Sequence, residues 1–465
     1  MNLPALHHQL YQRIRTAIET GTLEPGERLP SVRALAKEMG VARGTVDQAW
    51  ALLTGEGYLL ARGAAGTVVN PNLQLHSTTR AAPTPLPAQG AQFPDTLWRP
   101  GTLMPFQMGV PALDVFPRKL WARLGARYVR GMGIEALDYP PPHGLPGLRA
   151  AIAAYLQVAR GLSCEAGQVF ITSGWRHSLA LVAHALLQQG DAAWVESPGY
   201  PPTRQLLREA GFTPVPVAVD EHGLNVEQGV AQAAHARLAV VTPANQSPLS
   251  VSLALPRRQA LLAWASQAGS WVLEDDYDGE FRYCSRPLPA LASLDTQGRV
   301  LYSGTFSKVL FPGLRVAYLM VPASEVERFE RVSRCFFAGA VPAMVQAQVQ
   351  TFMAEGHFAR HIARMRKLYA QRRTATAEAL AQGLGTGQRA APAPGGMHLL
   401  LELAPHLDDR RIAQQLLEQG MAVQPLSAWY AGVPAAPGLL IGFTHCSDPA
   451  DAVRLGQAIR RLTGY

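Results

Sequence analysis

The sequence predicts an α/β protein in two parts: a small N-terminal winged helix-turn-helix, and a larger unit with a mainly parallel central sheet and a smaller α+β part at its C-terminal end. Three observations lead there. Before residue 56, apolar residues recur at helical spacing in three short segments, and two strand-like runs then flank a Gly/Ala turn. From VFITSG at residue 169 onward, short apolar runs alternate with amphipathic helical stretches, the pattern of strands covered by helices. Between these parts the apolar residues have no period. A length of 465 residues with 48% hydrophobic content allows two or three domains with large cores.

In the first part, Leu6, Leu10, Ile14 and Ile18 give an amphipathic helix that Gly21 ends. A turn-rich connector, GTLEPGERLPS, leads to Ser31, a good N-cap for a second helix that runs through Met39 and stops at Gly40. A third helix spans roughly residues 43–55, with Val46, Trp50 and Leu53 on one face. YLLARGAAGTVV then reads as the two strands of a wing. Residues 71–104, rich in Pro, Ala, Thr and Gln, read as a stiffened linker, so the domains are expected at 1–70 and 105–465.

In the second part the informative stretch is LYSGTFSKVLFPGLR, residues 301–315. Leu301 and Tyr302 close a buried strand, and Ser303, Gly304, Thr305 and Ser307 make a hydroxyl-rich turn that holds Lys308. A lysine there can form a Schiff base with an aldehyde, while the hydroxyls and the planar fork of Arg315 can bind a phosphate. An aldehyde and a phosphate on one small molecule is pyridoxal phosphate. Taken alone, the stretch also fits a surface lysine in a Ser/Gly loop, which is what most such strings are. SWVLEDDYDGEFRY, residues 270–283, tilts the balance. It is a second buried strand with acids at its end. Pyridoxal phosphate needs a carboxylate at its ring nitrogen and a hydroxyl at its phenolic oxygen. Asp275 and Tyr277 alternate out of the strand and can face one site.

With these residues in place, the chain from about residue 105 resembles the fold-type I aminotransferases, and residues 1–70 resemble the GntR-type winged helix-turn-helix domains. The fusion in this order is similar to the MocR/GabR group of bacterial regulators. GxLxPGxxLPSxRxLA and RGTVDQAW carry the N-terminal resemblance. It implies double-stranded DNA as a partner, with Arg43, Thr45 and Gln48 leading the recognition helix into the major groove. Arg33 and Arg62 are phosphate candidates. Ala42 replaces the Ser or Thr usual before Arg43, which removes a side-chain cap worth about 1 kcal/mol.

The C-terminal resemblance implies a cofactor site around Lys308, Asp275, Tyr277, Thr305, Ser307 and Arg315. Ser173, Gly174 and Trp175 lie at a strand-turn-helix junction where backbone N–H groups hold a phosphate. Tyr200 resembles an aromatic beside the ring, and Asn245 or Gln246 a donor to the phenolic oxygen, although the family pattern usually has His then Gln there. Tyr139 is expected to reach the cofactor of a neighbouring subunit, which implies a homodimer. Arg204 is a candidate for an anionic effector. The split into a large part, about 130–325, and a small part, about 326–465, follows the same resemblance.

Composition bounds the rest. A net charge of +8 permits a polyanion partner, yet residues 1–70 carry seven Lys/Arg against six Asp/Glu, so DNA recognition there must rest on a few placed arginines. Cys164, Cys284, Cys335 and Cys446 have no metal-ligand spacing and fit a reducing cytoplasm. No apolar run is long enough to span a bilayer, and the N-terminus has no signal-peptide core. Between residues 357 and 373 there are six Lys/Arg and no acid, either a second polyanion surface or a solvated helix face.

Two functions share these residues. One is a cytoplasmic transcriptional regulator that senses an amine, an amino compound or pyridoxal phosphate at Lys308. The other is a working aminotransferase with an appended DNA-binding domain. The C-terminal strand GLLIGF bears on the choice. In aminotransferases resembling this part, an arginine there clamps the substrate carboxylate, and the matching position is Leu440. Without that clamp the regulator is the expected function.

Overall fold

The computed structural model describes residues 5–63, 66–73, 103–283, 289–385, 390, 394–432 and 435–464. The chain separates into two compact units, residues 1–91 and 92–465. Most of the expected linker lies outside the described residues.

The N-terminal unit holds α1 (Leu6–Glu19), α2 (Val32–Met39), α3 (Arg43–Gly55), β1 (Leu59–Ala61) and β2 (Thr67–Val69). Ser31 caps α2, its Oγ accepting from Ala34 N at 3.2 Å, and Gly40 ends the helix in the left-handed region at φ 66°. Only glycine enters that region freely. Ala42 leaves α3 without a side-chain cap. Leu10, Ile18, Val46, Leu53, Leu59 and Val69 close one core. β1 pairs antiparallel with β2, Leu59 opposite Val69 and Ala61 opposite Thr67, which forms the wing.

The second unit contains α4 (Arg118–Gly131), α5 (Pro146–Arg160), β3 (Val169–Thr172), α6 (Trp175–Leu186), β4 (Ala192–Ser197), α7 (Pro201–Glu209), β5 (Thr213–Asp220), β6 (Gly223–Leu224), α8 (Val226–Ala233), β7 (Leu238–Val241), α9 (Leu255–Ala268), β8 (Trp271–Asp276), β9 (Val300–Thr305) and β10 (Ala317–Met320). These strands form one sheet in the order β3-β10-β9-β8-β7-β4-β5-β6. β5, β4, β7, β8 and β9 are parallel neighbours; β4, β7, β8 and β9 are buried on both faces, as their largely apolar runs require, while β5 is mostly half-buried. β10 runs antiparallel between β3 and β9, so the sheet is mixed. Because Ala317 pairs with Thr305, residues 306–316 form a loop that turns back at the carboxyl end of β9. That loop carries Lys308 and Arg315.

The C-terminal region adds α10 (Val326–Phe336), α11 (Ala343–Ala354), α12 (His357–Leu384), β11 (His398–Glu402), α13 (Asp409–Glu418), β12 (Gln424–Pro425), β13 (Gly438–Gly442) and α14 (Pro449–Thr463). Phe329 of α10 packs in the core of the large sheet, so that helix goes with the large part. β11, β13 and β12 form a small antiparallel sheet with Leu440 opposite both Leu400 and Gln424. Period-two alternation gives it two faces. Leu399, Leu401, Leu439 and Ile441 join the main core, while Leu400 and Leu440 pack with Leu426 and Trp429.

Residues 103–112 are stitched to this small part. Ala422 N donates to Pro105 O and Gly442 N to Phe106 O, both at 2.9 Å, and Ala112 N donates to Tyr369 Oη at 3.0 Å. Gly442 has no room for a side chain, since a Cβ would stand 2.3 Å from Gln107 O. The cationic stretch of α12 proves to be mostly structural. Arg366 donates to Glu280 O, Arg372 pairs with Asp114, and Arg373 lies over the Tyr283 ring.

Candidate cofactor and effector site

A cavity of about 250 Å³ opens at the carboxyl ends of the parallel strands, where α/β sheets place their ligands. One wall comes from the large sheet. Lys308 and Ser307 follow β9, Thr305 ends it, Asp275 stands near the end of β8 and Tyr277 just beyond it, and Gly174 and Trp175 open α6. The other wall comes from the small sheet and its neighbours: Met397, His398, Gln424 and Trp429.

Strand alternation decides which acids face the cavity. Asp275 and Tyr277 point in, whereas Asp276 points behind β8 into a buried charge network. There Arg160 Nε donates to Asp276 Oδ2 at 2.6 Å, and Tyr302 Oη donates to the same oxygen at 2.6 Å. Arg160 Nη2 lies 3.1 Å from Glu280 Oε1, at ion-pair distance but off the angle of a hydrogen bond. Burial, then the charges of Asp276, Glu196 and Asp278, push the Asp275 carboxyl well above the usual range, and Lys308 opposes them. A cation placed against Asp275 would reverse that shift, as a pyridinium does.

Lys308 Nζ donates to Gly109 O at 2.9 Å. Burial lowers its pKa below that of an ordinary lysine, with Asp278 and Asp275 opposing, so more of it is the free, nucleophilic amine. Gly109 is held at φ 70°, and a Cβ there would fall 2.3 Å from Nζ.

Arg315 takes a left-handed conformation at φ 53°, uncommon for a residue with a side chain, and this turns it toward the start of α6. Gly174 makes room for it: a Cβ there would lie 2.9 Å from Arg315 Nη2. An arginine fork beside the free N–H groups of a helix start is an anion cradle of the size and charge of a phosphate. The residues present therefore fit pyridoxal phosphate, with Gly174, Thr305, Ser307 and Arg315 for its phosphate, Asp275 for its ring nitrogen, Tyr277 for its phenolic oxygen and Lys308 for its aldehyde.

Several expected residues take other positions. Ser173 does not line the cavity; its N–H and Oγ both meet His177 Nδ1, at 3.0 and 3.2 Å. Asn245 stands one layer back, where its Nδ2 donates to Tyr277 Oη at 3.3 Å and to Asp278 at 3.0 Å. Tyr139 is 89% exposed on the surface. Arg204 spends its guanidinium on the carbonyls of Trp429 and Ala428, at 2.7 and 2.9 Å, so its geometry is that of a clamp on the loop that follows β12 and not of an effector contact. Tyr200 lines the cavity beside Trp429, with ring centres 5.8 Å apart.

The sequence reading missed Thr242, Ser247, Gly109, His398 and Gln424. Thr242 had a signal, an acid at the end of a neighbouring buried strand. Glu196 accepts from Thr242 N at 3.0 Å and from Thr242 Oγ1 at 2.6 Å, and burial pushes its carboxyl up to about 7. His398 and Gln424 had none, because separate short strands far along the chain bring them to the cavity.

In the N-terminal unit, Arg33, Arg43, Gln48 and Arg62 are exposed and Thr45 is half-buried. Arg43 sits at the first turn of α3, 3.8 Å from Asp47.

This lysine-centred cavity on a mixed α/β sheet, with a separate winged helix-turn-helix, defines a class of two-part proteins. The family of bacterial regulatory proteins, gntR family, matches residues 6–69, and the aminotransferase class I and II family matches residues 104–440. The chain is 34% identical to the probable rhizopine catabolism regulatory protein MocR of Rhizobium meliloti, over 94% of this chain and 90% of that protein. It is also 34% identical to the HTH-type pyridoxine biosynthesis transcriptional regulator PdxR of Corynebacterium glutamicum, over 96% of each. Among solved structures, the α-aminoadipate aminotransferase LysN of Thermus thermophilus, complexed with N-(5'-phosphopyridoxyl)-L-leucine, superposes with a TM-score of 0.70 at 28% identity, over 78% of this chain and 93% of that one. The chain belongs to the MocR/GabR group, GntR-type winged helix-turn-helix domains fused to an aminotransferase-like domain, and its cofactor is pyridoxal 5'-phosphate. Among the described residues, no helix is long and apolar enough to cross a membrane.

Proposed function

We propose that this chain is a pyridoxal-phosphate-dependent transcriptional regulator. Residues 1–70 bind double-stranded DNA, and the cavity at Lys308 senses a primary amine, an amino compound or pyridoxal phosphate itself. The observation that carries this reading is the charge of the cavity. Among its described lining residues the cations are Lys308 and Arg315, both committed to the cofactor, and the small-sheet wall has none. A substrate carboxylate would lack the bidentate partner that orients it for turnover.

The cofactor, when bound, supplies an aldehyde reactive toward primary amines and a protonated ring that withdraws electrons. The protein does the rest. Asp275 keeps the ring nitrogen protonated, Tyr277 donates toward the phenolic oxygen with Asn245 fixing its hydroxyl, and Arg315 with Gly174 anchors the phosphate. Lys308 Nζ reaches Gly109 O, within the segment tied to the small part. Drawing Nζ away from that carbonyl frees one anchor of residues 103–112, the stretch that continues from the linker. Effector binding that favours one of these states shifts the other, which is how occupancy of the cavity changes DNA affinity.

Two DNA-binding heads follow from a homodimer of the second unit. Large apolar side chains are exposed there, including Ile134, Leu137, Tyr139 and Phe336. Tyr139 lies against Gly339, close to Phe336 in sequence, which favours a second copy covering this surface.

The deciding experiment combines spectrum and DNA binding on the full chain. Borohydride should fix the cofactor onto Lys308, and Lys308→Ala should lose that adduct. An amine that changes the visible spectrum should also change operator affinity, while amino acids with 2-oxoglutarate give no sustained turnover. Robust multiple turnover would establish the aminotransferase instead. Arg43→Ala should weaken operator binding by about 1–3 kcal/mol if Arg43 reads a guanine. The isolated N-terminal unit should bind poorly, having half the contacts.

A further inference from the structure

Asp278 is a buried acid just past the end of β8, and it reaches the cofactor cavity through one other residue. Asn245 Nδ2 donates to Asp278 Oδ1 and Oδ2, at 3.0 Å each, and to Tyr277 Oη at 3.3 Å. An amide nitrogen has two N–H groups. One is shared between the two carboxylate oxygens and the other goes to the tyrosine. Asp278 is thus the far end of a chain that runs through Asn245 to Tyr277, and Tyr277 lines the cavity. The segment entering β11 packs over this chain. Gly396 is held at φ 88°, where a Cβ would stand 2.9 Å from Asn245 Nδ2 and 3.6 Å from Asp278 Oδ2, and Gly396 N donates to Phe281 O at 2.9 Å.

Which way the amide faces decides what Tyr277 can do. A carboxylate only accepts, so an ionised Asp278 requires the nitrogen of Asn245 on its side. Tyr277 Oη then accepts from Asn245, and its own O–H is left to turn into the cavity. Burial, then the charge of Asp278, hold that hydroxyl well above its usual range, so it keeps the proton it gives. With the amide reversed, the Asn245 carbonyl would take the Tyr277 proton and leave only lone pairs toward the cofactor. We propose that Asp278 is a positioning residue: through Asn245 it aims the Tyr277 O–H at the cofactor's phenolic oxygen. This rests on Tyr277 standing at that oxygen, and holds whether the cavity senses its ligand or turns it over. The charged and titratable groups around Asp278 are Asp275, Asp276, Tyr277, Glu280 and Tyr283 of its own stretch and Lys308 after β9. Burial pushes the Asp278 carboxyl up to about 8, with Asn245 opposing. The cationic ring nitrogen of a bound cofactor, set against Asp275, brings it back down toward the ionised form.

The test is the pH midpoint of the visible band of the full-length, cofactor-loaded protein. A donor at the phenolic oxygen stabilises the negative charge there and eases loss of the proton beside Lys308 Nζ, so losing the donor raises the midpoint. Asp278→Ala and Asp278→Asn both remove the charge, but only the second keeps an acceptor oxygen for Asn245. The midpoint of Asp278→Ala should therefore lie above that of Asp278→Asn by about 0.5–1 pH unit, the size expected of one net hydrogen bond. Asn245→Ala leaves the charge in place and should raise the midpoint above the native one by a similar amount, so the test does not hang on one variant folding. In a Tyr277→Phe background the difference between the two Asp278 variants should vanish. Equal midpoints in Asp278→Ala and Asp278→Asn, an unchanged midpoint in Asn245→Ala, or a difference that persists without the Tyr277 hydroxyl overturns the positioning role while the cofactor placement stands. If Tyr277→Phe alone leaves the native midpoint unchanged, Tyr277 is not at the phenolic oxygen, and the placement and this proposal fail together.

Discussion

The two walls of the cavity are built by opposite rules. On the large-sheet wall, charge is dense and buttressed: Asp275 faces in, Asp276 is locked to Arg160 behind it, and Arg315 is turned into place by its own backbone. On the small-sheet wall there is no cation among the described residues. A protein that only had to hold a cofactor needs the first wall. A protein that turns over amino acids needs a cation on the second as well. The contrast places chemistry and recognition on different sheets, so the two can be broken separately.

The largest effect should come from the buttress. Arg160 is fully buried between Asp276 and Glu280. Arg160→Ala leaves two buried carboxylates without their cation and should cost about 3–5 kcal/mol of stability, read by urea unfolding. If the loss is under about 1 kcal/mol, the network is not what holds the end of β8.

Next in size is the phosphate cradle. Gly174→Val puts a side chain where the Arg315 guanidinium lies, at a φ of 129° that L-residues avoid. Cofactor affinity should fall about tenfold to a hundredfold, the value of charged hydrogen bonds worth about 1.5–3 kcal/mol. The strained backbone should also cost the cofactor-free protein about 1–3 kcal/mol, so cofactor affinity is measured under conditions where the variant is folded. Equal cofactor affinity in the variant would remove Gly174 and Arg315 from the phosphate site.

These variants also mark how far the sequence could be read. The elements of the helix-turn-helix were legible to the residue, because Ser31 and Gly40 punctuate α2 and apolar spacing fixes α3. Asp275 was separable from Asp276 because a strand alternates, which needs no tertiary information. Ser173 misled because a hydroxyl at a helix start resembles a phosphate ligand until His177, one turn on, takes it. Arg204 misled because nothing local says which carbonyls lie across from a helix. Gln424 and His398 could not be read, since their meeting depends on β11, β12 and β13 aligning across long stretches of chain. The reversed β10 was invisible for a similar reason: a short buried strand looks alike in both directions.

The smallest effect concerns pH and lies just behind the charged wall. Glu196 is buried at the end of β4, and burial raises its carboxyl to about 7 from an ordinary 4.5. A raised folded pKa means the folded protein keeps a proton that the unfolded chain releases. Its contribution is therefore fully present below about 4.5 and is lost as pH rises through about 7. Glu196→Gln removes this titration. In the cofactor-free protein, unfolding free energy between those limits should decline less steeply with pH, by a slope of up to about 1.4 kcal/mol per pH unit. Some slope should persist, because Glu274, also buried and also raised to about 7, lies on the other face of β8 and is untouched. The variant has its own cost: the introduced amide can still accept from Thr242 N, but its N–H groups oppose Gln246 Nε2, which donates to Glu196 in the native chain. That cost is independent of pH and displaces the whole curve, whereas the titration changes its slope. A parallel displacement with the slope unchanged would mean that Glu196 is ionised in the folded protein and stabilised by Thr242, and the charged wall would then carry one more full negative charge beside Asp275.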